Sequence, residues 1–403
     1  MSTEDALALV ETVVDKYADD LVDLRRDLHA HPELSWQESR TTDLVSHHLD
    51  QVGWSINRVG DSGLIADLGD AGPRVALRAD LDALPVNDTT TDPWQSKVPG
   101  VAHACGHDVH TTALLGAGLA LSEVHAAGLL GGRVRLLFQP AEEVMPGGAT
   151  KLIDVGALDE VVRVFALHCD PTLDLGHVGL REGPITGAAD SLEIRLSGSG
   201  GHTSRPHLTE DLTFALAKIV TELPAVLSRR LDPRAGVSVV WGRVEAGRAT
   251  NVIPDSGELA GTVRMLDSVA WSDMESRIRA HVRDIVAPYG VRADVDYVRG
   301  VPPVVNDLTS VALLGRAVDA VLGHEGRAPT SQSLGGEDFA WYLTRVPGAM
   351  GRLGTREPGG PTYDIHQGNL RIDERATPIA AKLLATVALA ASSPHGDPEA
   401  TGP

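Results

Sequence analysis

Positive charge is in short supply. Lys and Arg number 35 against 55 Asp and Glu, which leaves a formal charge of −20 over 403 residues. That balance excludes nucleic acid and anionic membrane as partners, because both need a basic face. It leaves room for an anionic small molecule, since a few arginines or a metal can invert the potential locally. Cysteine is scarcer still, at Cys105 and Cys169 alone. Two thiols make no disulfide framework, which fits a reducing compartment, and a cytoplasmic protein is expected. No apolar run reaches membrane-spanning length. The acidic N-terminal stretch also lacks the basic-then-apolar order of a signal peptide. Aromatics make up 4%, so any core is built mainly from Ala, Val and Leu.

The length suits two domains. Residues 5–29 have helical spacing, and "HAHPELSWQE" follows as a turn. "GLIADLG", "RVALRADLDALP", "GGRVRLLFQPAEE" and "VVRVFALHCD" read as strands, with a helix over "DVHTTALLGAGLALSEVHAAG" and a short one at "KLIDVGAL". Strands alternating with helices indicate an α/β layer around a largely parallel sheet. The middle of the chain changes character. Strands at "SLEIRLSGSG", "GVSVVWGRVEAG", "GELAGTVRMLD" and "RADVDYV", with helices over 210–231 and 268–288, give the order β-α-β-β-α-β of a ferredoxin-like module. The expected organisation is a catalytic domain over 1–187 and 300–393, interrupted by an inserted α+β domain over 188–299. The composition of the tail, 394–403, predicts disorder.

The chemistry concentrates in "HACGHDVH", residues 103–110. In an extended segment Cys105 and His107 point the same way, as a thiolate and an imidazole suited to zinc or another transition metal. Cys105 could equally be a nucleophile or a buried filler. "FQPAEE" sets Glu142 and Glu143 just past a buried strand, where one carboxylate can bind metal while the other moves a proton; a solvated acidic turn is the plainer reading. His168 closes "VVRVFALH" and His366 lies in "YDIHQGNL". Near strand ends each could simply be a hydrogen-bonded core-edge residue. Together, one Cys, three His and two Glu suit a two-metal site better than a structural zinc, which gathers four Cys/His ligands in close pairs. "GAGLALSEVHAAG" lacks a dinucleotide fingerprint or a phosphate-loop lysine, so nucleotide binding is not expected.

"HACGHDVH", "FQPAEE", "LHCDP", "GHTSRPH", "TNVIPD", "GGEDFAWY" and "IHQGNL" occur in the order seen in metallopeptidase family 20. The resemblance is to its branch of aminoacylases, hippurate hydrolases and auxin-conjugate hydrolases, and it covers nearly the whole chain. It implies a zinc-exopeptidase-like catalytic domain with an inserted lid and dimerisation domain. It implies two divalent ions per subunit, zinc or manganese with cobalt or nickel as alternatives, held by Cys105, His107, Glu143, His168 and His366. Glu142 would be the general base, and Asp80 in "RADLDALP" would orient a ligand. In the lid, His202 would contact the substrate carbonyl oxygen, while Asn251 and Arg264 would hold its carboxylate, for which a planar guanidinium is suited. Glu337 and Asp338 would buttress the site, His103 and His110 would support the metal loop, and His207 would shape a turn.

The sequence departs from the pattern at "HQGNL", where many relatives have Ser-Pro and an aromatic, and at "TSR", where others have small residues. Neither departure removes a ligand, but both bear on the acyl pocket. The expected reaction is hydrolysis of the amide of a small N-acyl amino acid by a homodimer paired through the inserted domain. A dipeptidase or carboxypeptidase of the same family is the alternative. An inactive dimeric binding protein fits less well, because all five ligand positions and the base are filled.

Overall fold

The structure is a computed structural model that describes residues 3–393; the tail expected to be disordered lies outside the described residues. The chain divides into two compact units. The larger comprises residues up to 183, 305–331 and from 341 onward; the smaller comprises 184–304 together with 332–340. The segment carrying "GGEDF" therefore groups with the smaller unit, although it lies far outside 188–299.

The larger unit is built on an eight-stranded sheet. Its centre is the strands Arg133–Gln139, Arg74–Asp80, Val161–Asp174 and Gly348–Arg356, each parallel to its neighbour. Antiparallel strands flank this centre, with Ser55–Arg58 and Leu64–Leu68 on one side and Val178–Leu180 on the other. Central strands buried on both faces read as near-continuous apolar runs, as "RVRLLFQ" does. The helix His107–Ala126 is buried on nearly every face, and the C-terminal helix Ala376–Ser392 is as enclosed. Both are rich in Ala and Leu, good helix formers that pack closely. The single helix expected over 5–29 is two, Thr3–Lys16 and Ala18–Ala30, broken at Tyr17. Asp19 and Asp20 then open a new first turn, where acidic groups meet the helix dipole favourably.

The smaller unit has a four-stranded antiparallel sheet in the order Ser238–Ala246, Ser256–Met265, Ala188–Ser197, Arg292–Val301. This is the ferredoxin-like order, and the helices Leu212–Arg230 and Ser268–Val286 complete it. Their N-caps are Asp211 and Asp267, whose side chains accept from the amides of Phe214 and Ala270. Among the described residues no helix is long and apolar enough to cross a membrane.

Candidate metal centre

The site sits where the central strands of the larger unit end. Between Cys105 and His107 the chain turns through Gly106 at φ +87°, and a side chain there would strike Cys169 Sγ and Ile372. Only glycine takes that turn at that packing distance. The helix then starts at His107, which is fully buried.

Two histidines have their outer nitrogen occupied by backbone. His107 Nδ1 lies 2.9 Å from the Asp82 carbonyl, and His168 Nδ1 lies 2.8 Å from the Cys169 carbonyl. A carbonyl only accepts, so each Nδ1 carries a proton, and a neutral ring then presents its lone pair at Nε2. Burial alone would lower His107, but Asp80, Cys105 and Asp82 raise it well above the usual imidazole range, and a cation at Nε2 would take the place of that second proton. His168 Nε2 faces Cys105 Sγ at 3.6 Å. His107 Nε2 lies 3.8 Å from Glu143 Oε1, and neither atom has a hydrogen-bond partner although both are buried. Orphaned buried acceptors are rare and costly. A cation bound to both at about 2.0–2.2 Å would span such a gap. His366 approaches the same Glu143 oxygen, with Nε2 at 3.5 Å. Its backbone is left-handed (φ +63°), its amide donates to the Ala104 carbonyl at 2.6 Å, and its side chain is 52% exposed.

The candidate donors form overlapping groups with ligand atoms within 4.8 Å: Cys105, His107 and His168; Cys105, Glu143 and His366; His107, Glu142 and Glu143. All five expected ligands and Glu142 are thus brought together. Burial drives the Cys105 thiol far above its usual range, against the pull of His107. Burial likewise raises Glu143, and together with Arg352 it holds His168 well below the usual imidazole range. A bound cation reverses the cost for thiol and carboxylate, because it favours their deprotonated forms. The donor set therefore fits divalent metal.

Asp80 is buried and lies against His110 Nδ1 at 2.6 Å and Arg78 Nη1 at 2.5 Å. Burial alone would raise its carboxyl, but His107, Arg78 and His110 hold it well below the carboxylate range. The other nitrogen of His110 accepts the Cys169 amide at 2.8 Å. Both its nitrogens are occupied, so His110 braces the loop and offers no ligand atom. His103 is held down to about 4 by burial, hence neutral. His29 meets Asp108 at 2.8 Å, and the Arg25 guanidinium reaches the same oxygen at 2.8 Å. His31 bonds the end of its own helix.

Comparison with known proteins gives the family. The profile of "Peptidase family M20/M25/M40" matches residues 76–390. The chain belongs to that family. It is 38% identical over 373 residues to the N-acetylcysteine deacetylase of Bacillus subtilis (strain 168), covering 92% of this chain and 96% of that protein. A solved dinuclear metal-binding peptidase of the M20 family from Bacillus subtilis superimposes with a TM-score of 0.81 at 35% identity, over 93% of this chain and 98% of that one. A Rhodococcus jostii (strain RHA1) protein provisionally named glutamate–cysteine ligase 2-3 is 51% identical over 360 residues. That match takes in 88% of this chain but spans only 45% of the longer protein. Membership makes this M20 chain a metal-dependent amidohydrolase.

The remaining candidates of this M20 protein lie in the smaller unit. His202 and Asn251 are neighbours on an exposed two-stranded ribbon, where His202 pairs with Val252 and the Thr203 amide donates to the Asn251 carbonyl. His202 Nδ1 accepts from the Ser204 amide at 3.1 Å and faces its hydroxyl at 2.8 Å. Arg264 stands on the strand Ser256–Met265, and its guanidinium donates to the Leu334 carbonyl. His207 falls in a short 3₁₀ turn. Glu337 and Asp338 are buried, and Glu337 Oε1 accepts from the Phe339 amide.

Sequence reasoning passed over Asp82. Its two oxygens accept the amides of Glu142 and Glu143 at 3.0 and 2.9 Å, Ser35 Oγ donates to it at 2.7 Å, and its carbonyl meets His107. The available signal was its place two residues after Asp80 in one motif, which carries two acids past one strand end.

Proposed function

We propose that the protein hydrolyses the amide of N-acyl amino acids at a binuclear centre, with two divalent ions held by Cys105, His107, Glu143, His168 and His366. The observation that carries this reading is the pair of buried atoms without a hydrogen-bond partner, His107 Nε2 and Glu143 Oε1, facing each other 3.8 Å apart beside a buried thiol. Zinc suits the thiolate and imidazoles, and manganese suits the carboxylate. Ions bound there would lower the pKa of a shared water and polarise the amide carbonyl.

Glu142 takes the proton of the attacking water and returns it to the departing amine. Its backbone amide is held by Asp82, which fixes where the carboxylate can swing. His202 donates to the carbonyl oxygen as negative charge develops on it. Asn251 and Arg264 hold the carboxylate of the amino-acid half, the guanidinium as a two-pronged donor. The similarity to an N-acetylcysteine deacetylase places N-acylated cysteine first among substrates to try. The chain acts as a homodimer paired through its ferredoxin-like module, with His202 serving the partner's site. The acidic surface and the absence of a disulfide framework suit a cytoplasmic enzyme.

The test is a metal-restored hydrolysis screen over N-acyl amino acids that varies acyl size first, with free dipeptides in parallel. Chelation should abolish turnover, and zinc or manganese should restore it. Turnover of dipeptides above every N-acyl amino acid would favour the peptidase alternative. Activity that survives exhaustive chelation but disappears in Cys105→Ser would overturn the metal reading in favour of a cysteine nucleophile.

A further inference from the structure

The loop that carries Glu142 starts in an unusual conformation. Ala141 has φ +55°, a left-handed backbone at a residue with a side chain, and it is fully buried. Such a conformation is costly for a residue with a side chain and persists only where the surroundings impose it. The group that meets the Ala141 amide is distant in sequence: the carboxyl of Glu38, which accepts it through Oε1 at 2.8 Å. With Asp82 taking the next two amides, three consecutive N–H groups from Ala141 to Glu143 end on two carboxyl groups.

Glu38 is itself firmly placed. It is fully buried at the start of the helix Ser39–Gln51, and its carbonyl receives both the amide and the hydroxyl of Thr42, at 3.0 and 2.6 Å. The Thr42 hydroxyl in turn accepts the Gly63 amide at 2.8 Å. The Glu38 side chain is thus mounted on a packed helix end rather than on a mobile loop.

We infer that Glu38 is a positioning residue for the reaction: by holding the Ala141 amide it sets the left-handed turn that aims the Glu142 carboxylate. The inference rests on the reading of Glu142 as general base. Burial, with the Asp82 charge beside it, pushes the Glu38 carboxyl up to about 7. Glutamine matches its length and keeps the oxygen that accepts from Ala141. Aspartate keeps the acid but withdraws that oxygen by one methylene. Alanine removes it.

The experiment measures kcat, KM and bound metal for Glu38→Ala, Glu38→Asp and Glu38→Gln at saturating metal, each also combined with Glu142→Ala. Partners that orient active-site groups typically contribute about 10- to 100-fold. Glu38→Ala and Glu38→Asp should lose that much in kcat, with KM and metal content within about twofold, and Glu38→Gln should stay close to the parent. In the Glu142→Ala background Glu38→Ala should cost little more, because groups acting as one unit are non-additive. If Glu38→Ala does not fold, the aspartate and glutamine variants carry the test. Multiplying losses, a kcat unchanged in Glu38→Asp, or a loss confined to metal content would overturn the inference. A Glu142→Ala enzyme that retains full activity would instead overturn the base assignment on which it rests.

Discussion

The two units treat their candidate residues in opposite ways. In the larger, Cys105, His107 and His168 are buried, and backbone carbonyls hold Nδ1 of both histidines while Asp82 holds the Glu143 amide. In the smaller, His202 stands in solvent on a short two-stranded ribbon and Asn251 just before its second strand. Where side chains are buried, the fold fixes tautomers and lone pairs before any ligand arrives. Where they are exposed, position has to come from something the unit does not contain by itself. The larger unit therefore holds its candidate groups in place before anything binds, while the candidates exposed on the smaller are not held in that way.

The sharpest way to break the comparison is at Glu142. Glu142→Ala should lower kcat by about 100- to 10,000-fold, the range for a positioned acid–base group. The metal content of the purified protein should not change, because Glu142 is outside the five-ligand set. Loss of both metal and activity would mean that the residue is a ligand and that the division of labour between the two adjacent glutamates is wrong.

The next effect tests whether the larger unit is as rigidly prepared as its hydrogen bonds imply. Asp108 is fully buried between Arg25 and His29, immediately after His107. Burial alone would raise its carboxyl, but Arg25 and His29 hold it well below the usual carboxylate range. Asp108→Asn leaves Arg25 with a weak 3.4 Å contact to Glu374 as its remaining carboxylate. Breaking such a buried pair costs about 3–5 kcal/mol. A folded pKa below the unfolded one gives stability that is complete above about pH 4 and lost as pH falls through the folded value. Denaturant unfolding at pH 7 should show the whole deficit of the variant, and the gap to the parent should narrow only below about pH 4. A gap that widened in acid would contradict the sign of the shift.

These buried arrangements also mark what was legible from sequence. The candidate ligands that the structure gathers were legible because metal chemistry demands particular side chains, and Cys105, His107, Glu143, His168 and His366 recur near strand ends in a recognisable order. The parallel centre of the sheet and the ferredoxin-like module were legible because apolar runs and alternation encode burial on two faces or one. Asp82 and Glu38 were not, since what they do is accept backbone amides, and an amide is the same at every residue. The supporting role of His110 was read from the resemblance, but how it is fixed was hidden, because that depends on one nitrogen meeting Asp80 and the other accepting the Cys169 amide. The break at Tyr17 escaped because helical spacing continues across it.

In the smaller unit the expected effect is lesser and more specific. His202→Ala should cost about 100- to 1,000-fold in kcat, as loss of an oxyanion donor does, while leaving metal binding and unfolding of the protein as they were. The side chain is exposed and bonds the neighbouring Ser204, so a large stability loss would show that it serves the fold instead.

The smallest effect on stability addresses what the exposed unit needs from outside. The strand Ser238–Ala246 is an edge of its sheet, paired on one side only, with Val240 59% and Val244 52% exposed. An unprotected edge with outward valines invites another strand to pair with it, and lysine is the residue that blunts such edges. The double variant Val240→Lys, Val244→Lys removes no buried contact, so its unfolding free energy should stay within about 0.5 kcal/mol per site of the parent. If the parent pairs through this module as proposed, light scattering should nevertheless report monomers for the variant and dimers for the parent. If His202 serves the partner's site, the monomer should also lose turnover to the same degree as His202→Ala, and combining the two changes should add little. A variant that becomes monomeric with full activity would show that each chain supplies its own His202, and the contrast between a preorganised unit and a completed one would then lie within a single chain.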